Sequence, residues 1–95
     1  MQFLLEQYVT SVDAATVERR AREAREAAAE LTRQGKPVEY LRSIFVPEDE
    51  TCFHLYEAES LSTVREAARR AALPFDRVAE AVLDPALQTE KERTR

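Results

Sequence analysis

Two short apolar stretches of this 95-residue chain hold most of its capacity for chemistry, and a single histidine anchors them. His54 is the only imidazole and Cys52 the only thiol, two residues apart. In an extended strand that spacing sets both on one face with Cβ atoms about 6.5 to 7 Å apart, a separation that can bracket one transition-metal ion. Glu6 lies in the N-terminal stretch, and cross-strand neighbours approach to about 5 Å, so Glu6 can meet His54 if the two strands pair in register. His54, Glu6 and Cys52 are therefore a candidate metal set, with Glu80 as a further oxygen ligand. His54 oriented by a carboxylate is equally a candidate general base or pH-sensitive contact. The plain alternative is a hydrogen-bonded histidine at a protein interface.

Tyr8, Tyr40, Arg42 and Tyr56 surround these positions in sequence. They suit a pocket for an aromatic or carboxylate ligand, and they suit a wet protein interface as well. Glu48, Asp49 and Glu50 crowd one turn, with Glu57 and Glu59 nearby, which gathers cations loosely or simply stays solvated. No phosphate loop, nucleophile elbow or zinc knuckle is present, and one glycine in the whole chain excludes any glycine-rich motif. Eighteen acidic side chains against fourteen basic ones give a net charge of −4, so the field repels nucleic acid. The lone cysteine forms no intrachain disulfide, and Phe3-Leu4-Leu5 is broken by Glu6 long before it reaches the length of a membrane span. A cytoplasmic protein without a membrane partner is expected.

The elements that must position these residues follow from periodicity. Gln2 to Val9 reads as a strand ending in a Thr10, Ser11 and Asp13 polar cluster. Asp13 caps a helix running to Gln34, whose Val17, Ala21, Ala24, Ala28 and Leu31 recur at steps of four and three; Gly35 then supplies a left-handed C-cap and Pro37 follows. Val38 to Val46 and Thr51 to Glu57 are strands joined by the Pro47–Glu50 turn as an antiparallel hairpin. Ser60 or Ser62 caps a second helix with Leu61, Val64, Ala68 and Ala71 on one face, Leu73-Pro74 ends it, and Phe75 to Leu83 reads as a last strand. Residues 1–84 then form one domain and 85–95 a polar, fraying tail.

The order β-α-β-β-α-β is the split βαβ pattern, hence an α+β, ferredoxin-like fold. It has a four-stranded antiparallel sheet, strands one and three central, and both helices on one face. Alternation divides each strand. Phe3, Leu5, Phe53 and Leu55 are uniformly apolar and are assigned to the helix side. Leu4, Glu6, Tyr8, Tyr40, Arg42, Ile44, Cys52, His54, Tyr56, Val78, Glu80 and Val82 are assigned to the open side, too apolar for water and too polar for simple core. A second copy packed sheet to sheet is the expected cover, giving a homodimeric α/β barrel with a lined space between the sheets.

Three segments, Val38-Glu-Tyr-Leu-Arg-Ser-Ile-Phe-Val46, Cys52-Phe-His-Leu-Tyr-Glu-Ala58 and Val64-Arg-Glu-Ala-Ala-Arg-Arg-Ala-Ala-Leu-Pro74, followed by Asp76-Arg-Val-Ala-Glu80, resemble the nickel-binding-protein-like family of small ferredoxin-fold domains, mostly of unassigned function. Phe3-Leu-Leu-Glu6 is similar to that family's first strand, so the likeness spans residues 2 to 83. It implies a ferredoxin-like dimer and, in some members, Ni²⁺ on the dimer surface. Ala67 stands where the family commonly has His, and Ala72 where it has Gly; the first change removes a borderline-soft ligand.

Two functions compete. One is a homodimeric module without catalytic signature, binding Ni²⁺, another divalent metal or a small molecule. The other is a dimeric α/β-barrel enzyme, monooxygenase- or isomerase-like, with His54, Glu6, Arg42 and Tyr56 in an inter-sheet pocket. An RNA-recognition module shares the element order but needs a basic-Gly-aromatic pattern that strand three lacks.

Overall fold

Strand β1 (Gln2–Tyr8), helix α1 (Ala14–Arg33), strands β2 (Val38–Val46) and β3 (Thr51–Ala58), helix α2 (Leu61–Arg70) and strand β4 (Arg77–Ala81) follow in that order in the computed structural model. The structure describes residues 1–9 and 13–82; the Thr10–Ser11 turn and the expected tail at 85–95 lie outside them. The sheet order is β2-β3-β1-β4, every pairing antiparallel, with β3 and β1 central as the sequence implies. The last strand is shorter than expected: pairing with β1 stops at Ala81, and Val82 is bare to solvent.

Local chemistry sets the boundaries. Asp13 accepts a hydrogen bond from the Thr16 amide at 2.8 Å, capping α1, and the Thr16 hydroxyl together with that amide holds the Asp13 carboxyl below its ordinary pKa. At the other end, the Lys36 amide bonds to the Leu31 carbonyl and the Gly35 amide to that of Thr32, a Schellman closure with Gly35 at φ +96°. Helix α2 is capped by Ser60 and closes in the same way, Leu73 to Ala68 and Ala72 to Arg69. Here the left-handed position, φ +54°, is filled by Ala72. The polar turn between β2 and β3 is a single 3-10 turn, Pro47–Asp49, with Glu50 left-handed at its end.

Both helices press faces of small side chains onto the sheet. Ala21, Ala24, Ala27, Ala28 and Leu31 of α1 are buried, as are Val64, Ala67 and Ala68 of α2. Thr32 ties the end of α1 to β2, its hydroxyl donating to the Val38 carbonyl and accepting from the Val38 amide. Helices of this kind lie close to a sheet but contribute little volume, so the sheet itself must fill the core.

That requirement corrects the faces assigned from alternation. Phe3 and Leu5 do point at the helices, but Phe3 pairs with Tyr56, Leu5 with His54 and Gln7 with Cys52. Directly opposed residues share a face, so Cys52, His54 and Tyr56 lie beneath the helices, and Phe53 and Leu55 lie on the open side. Tyr40 joins them inside because a β-bulge at Leu41 shifts the register of β2 between Tyr40 and Arg42. After the bulge Arg42 and Ile44 face out, as expected. On β4, Val78 opposes Leu5 and Glu80 opposes Phe3, so both stand on the helix side, Glu80 exposed at the sheet's edge.

The open face is a regular grid. Reading across β2, β3, β1 and β4, one row is Arg42, Leu55, Leu4, Ala79 and the next is Ile44, Phe53, Glu6, Arg77. Leu4, Phe53, Leu55 and Glu6 are half-buried, while Ile44 is 48% and Tyr8 63% exposed.

Candidate functional site

A buried polar string crosses three strands beneath α1. Tyr40 on β2 lies with its hydroxyl 2.7 Å from Nδ1 of His54 on β3, and Nε2 of His54 is 3.0 Å from Oε1 of Gln7 on β1. An amide oxygen only accepts, so Nε2 carries the proton and donates to Gln7, while bare Nδ1 accepts from the Tyr40 hydroxyl. All three side chains are buried, His54 to 1% exposure. The string therefore fixes a neutral imidazole in one tautomer.

Electrostatics act the same way. Burial, and secondarily the Arg20 guanidinium of α1, hold the His54 pKa down to about 4. Burial pushes Tyr40 up to about 12, opposed by the nearby Ser43 hydroxyl; Arg25 covers the Tyr40 ring with its guanidinium carbon 5.3 Å from the centroid. Burial raises Cys52 and Tyr56 as well. Tyr56 packs edge-on against Tyr40 with centroids 5.1 Å apart, and its buried hydroxyl has no hydrogen-bond partner among the described residues.

The residues singled out from sequence are thus divided by the sheet. Tyr40, Cys52, His54 and Tyr56 are inside; Glu6, Tyr8 and Arg42 are on the open face; Glu80 is at the helix-side edge. Glu6 opposes Phe53 and Arg77, so it cannot complete a site with His54 and Cys52. The imidazole has no lone pair to spare, because one nitrogen carries hydrogen and the other accepts from Tyr40. A buried thiol with a raised pKa is a poor thiolate donor. Among the described residues no cluster of three or more His, Cys, Asp or Glu side chains is spaced to hold a metal ion. Glu48, Asp49 and Glu50 are solvent-exposed in their turn.

Two surface clefts stop short of the string's histidine. One of about 490 Å³ lies among Met1, Thr32, Val38, Glu57 and Ala58, and one of about 310 Å³ runs along Arg25, Tyr40 and Leu41. Gln7 is the member of the string that sequence reasoning missed. Its signal was available: an amide on the same alternation as Phe3 and Leu5 has to find a buried partner.

Comparison with known proteins places this geometry. A family model described as nickel responsive protein SCO4226-like matches residues 3–81. Among solved structures, the crystal structure of SCO4226 from Streptomyces coelicolor A3(2) is similar, with a TM-score of 0.72 over 88% of this chain and 99% of that one. The two sequences are 15% identical, so that likeness shows the fold. No curated protein sequence matches the chain.

Proposed function

Because the chain belongs to the SCO4226-like family of nickel-responsive proteins, we propose that it is a homodimeric, divalent-metal-binding protein without a catalytic centre, joined through the open face of its sheet. The observation that carries the dimer is the central grid of Leu4, Phe53, Leu55 and Ile44, apolar side chains left partly in water on the sheet face that no helix covers. In this reading Ni²⁺ or a related ion does not sit on the buried histidine or thiol, which are closed to it. The enzyme alternative needed His54 and Tyr56 in a pocket between two sheets, and both lie on the wrong side. A single free thiol, Cys52, fits the reducing cytoplasm.

Sedimentation velocity of the purified, chelator-stripped protein should give a dimer, and Leu55→Lys, which sets a charge at the centre of the contact, should give a folded monomer. Calorimetric titration should show Ni²⁺ binding well above Mg²⁺. A wild-type chain that sediments as a monomer at every concentration removes the dimer, and equal, weak heats for Ni²⁺ and Mg²⁺ remove the metal.

A further inference from the structure

Strand β3 carries a choice that its own residues do not settle. Cys52, His54 and Tyr56 alternate with Phe53 and Leu55, and although the second set is the more apolar, the first set lies beneath the helices. β1 has no such ambiguity, since Phe3, Leu5 and Gln7 all point inward. Gln7, 2% exposed, is therefore committed to the interior whichever way β3 turns. On β2, Tyr40 is committed as well, its ring beneath the Arg25 guanidinium of α1. The bulge at Leu41 shifts the register between β2 and β3 and the ladder resumes on either side of it, so this sheet absorbs a step of one residue.

A one-residue slip of β3 would turn Phe53 and Leu55 to the helices and His54 to the open face. It would also leave the Gln7 amide beneath α1 with nothing to bond. Besides the tyrosines, the buried polar side chains among the described residues are Gln7, Thr51 and His54, and the Thr51 hydroxyl is spent on the Asp49 carbonyl at 2.8 Å. Tyr40 would lose the imidazole and keep only the Ser43 hydroxyl near its own. An orphaned buried amide costs enough to lower the population of the slipped strand roughly five- to a hundredfold.

We propose that the Tyr40–His54–Gln7 string is a register lock, which holds Cys52, His54 and Tyr56 beneath the helices by leaving Gln7 unsatisfied in the slipped alternative. The helices set how much volume the interior needs; the string adds a directional demand that His54 alone meets. The lock acts within one chain and does not depend on what the open face meets.

Removing both partners while keeping His54 reverses the balance, because the orphan is then the imidazole in the present arrangement. Gln7→Leu combined with Tyr40→Phe is that variant, and Cys52, the only thiol in the chain, reports on it. Dipyridyl disulfide should label Cys52 of this variant at least about tenfold faster than in the wild type, at a rate unchanged by urea below the unfolding transition. A second reporter, Cys52→Ala with Leu55→Cys, moves the thiol to the opposite face of the same strand. There the same two changes should slow labelling at least about threefold. Labelling that rises at both positions, or that climbs with urea from the first addition, reports unfolding instead of a turned strand and overturns the lock. So does a Cys52 that stays within about threefold of its wild-type rate.

Discussion

His54 is the only histidine in the chain, so protonating it is a perturbation that can be followed without ambiguity. In the unfolded chain its pKa is about 6.5; in the folded protein burial holds it at about 4. Between those values the unfolded state binds the proton and the native state does not, so stability falls as pH drops through this window and is fully present above it. Over the whole window the linkage amounts to about 3 kcal/mol, at about 1.4 kcal/mol for each unit. From pH 7 down to pH 5 alone, it predicts a loss of about 2 kcal/mol, a large part of the stability of a domain this size.

The structure explains why the native state resists the proton. Arg20 of α1 faces His54, Arg25 lies over its partner Tyr40, and β1 and β2 offer Gln7 and Tyr40 rather than a carboxylate. An imidazolium here would have to reverse the Tyr40 hydroxyl and would gain no counter-ion. Urea unfolding at intervals from pH 7.5 to 4.5 measures the effect, with His54→Gln as the control whose curve should be flat over the same range. Asp13, Glu57 and Glu66 also have lowered pKa values, but carboxylates lose their contribution below about pH 4.5, beneath the diagnostic window. An imidazole resonance that titrates near pH 6.5 in the folded protein, or a wild-type curve parallel to that of His54→Gln, would refute the buried neutral string.

Two further substitutions test other parts of the fold. Ala72→Gly removes the strain of a Cβ at φ +54° in the α2 Schellman closure and should stabilise by about 0.5 to 1 kcal/mol, read as a higher urea midpoint at unchanged slope. The contrary result, a lower midpoint, would mean that the alanine's effect on the unfolded chain outweighs that strain. Tyr56→Phe deletes a buried hydroxyl without a partner among the described residues and should be neutral or stabilising by up to about 1 kcal/mol; a destabilisation of about 1 kcal/mol or more would reveal a partner for the hydroxyl.

The sequence carried the architecture well, for reasons that lie in particular residues. Asp13, Gly35, Pro47 and Ser60 mark ends that only a few residue types can form, and the structure puts a cap or turn at each. The order of strands follows from crossover handedness, which no side chain has to specify. Membership of the family and the ferredoxin-like fold were legible in the same segments. The division of the sheet into faces was legible for β1 and lost for β3. Phe53 and Leu55 are more apolar than His54 and Cys52, so alternation taken one strand at a time sends them inward. A one-residue change of parity reverses every side chain of a strand, and the bulge at Leu41 does this to half of β2 without leaving a glycine to announce it.

What decides the parity of β3 is the helices. Their buried faces are chiefly alanine, at positions 21, 24, 27, 28, 67 and 68, and such faces cannot fill the space above a sheet of Phe53, Leu55 and small residues. Turning Tyr56, His54 and Cys52 inward supplies the volume, and Gln7 and Tyr40 supply the two hydrogen bonds that make a buried imidazole tolerable. The same turn leaves Phe53 and Leu55 outside, where they make the open face apolar. Core and open face are thus one choice made twice: the alanines that draw the aromatic and polar residues of β3 inward also push its purely apolar residues onto the uncovered side of the sheet. A variant that refilled the helix faces with leucine would therefore act on both faces of the sheet, crowding the Tyr40–His54–Gln7 string while reducing the need for β3 to keep its present orientation.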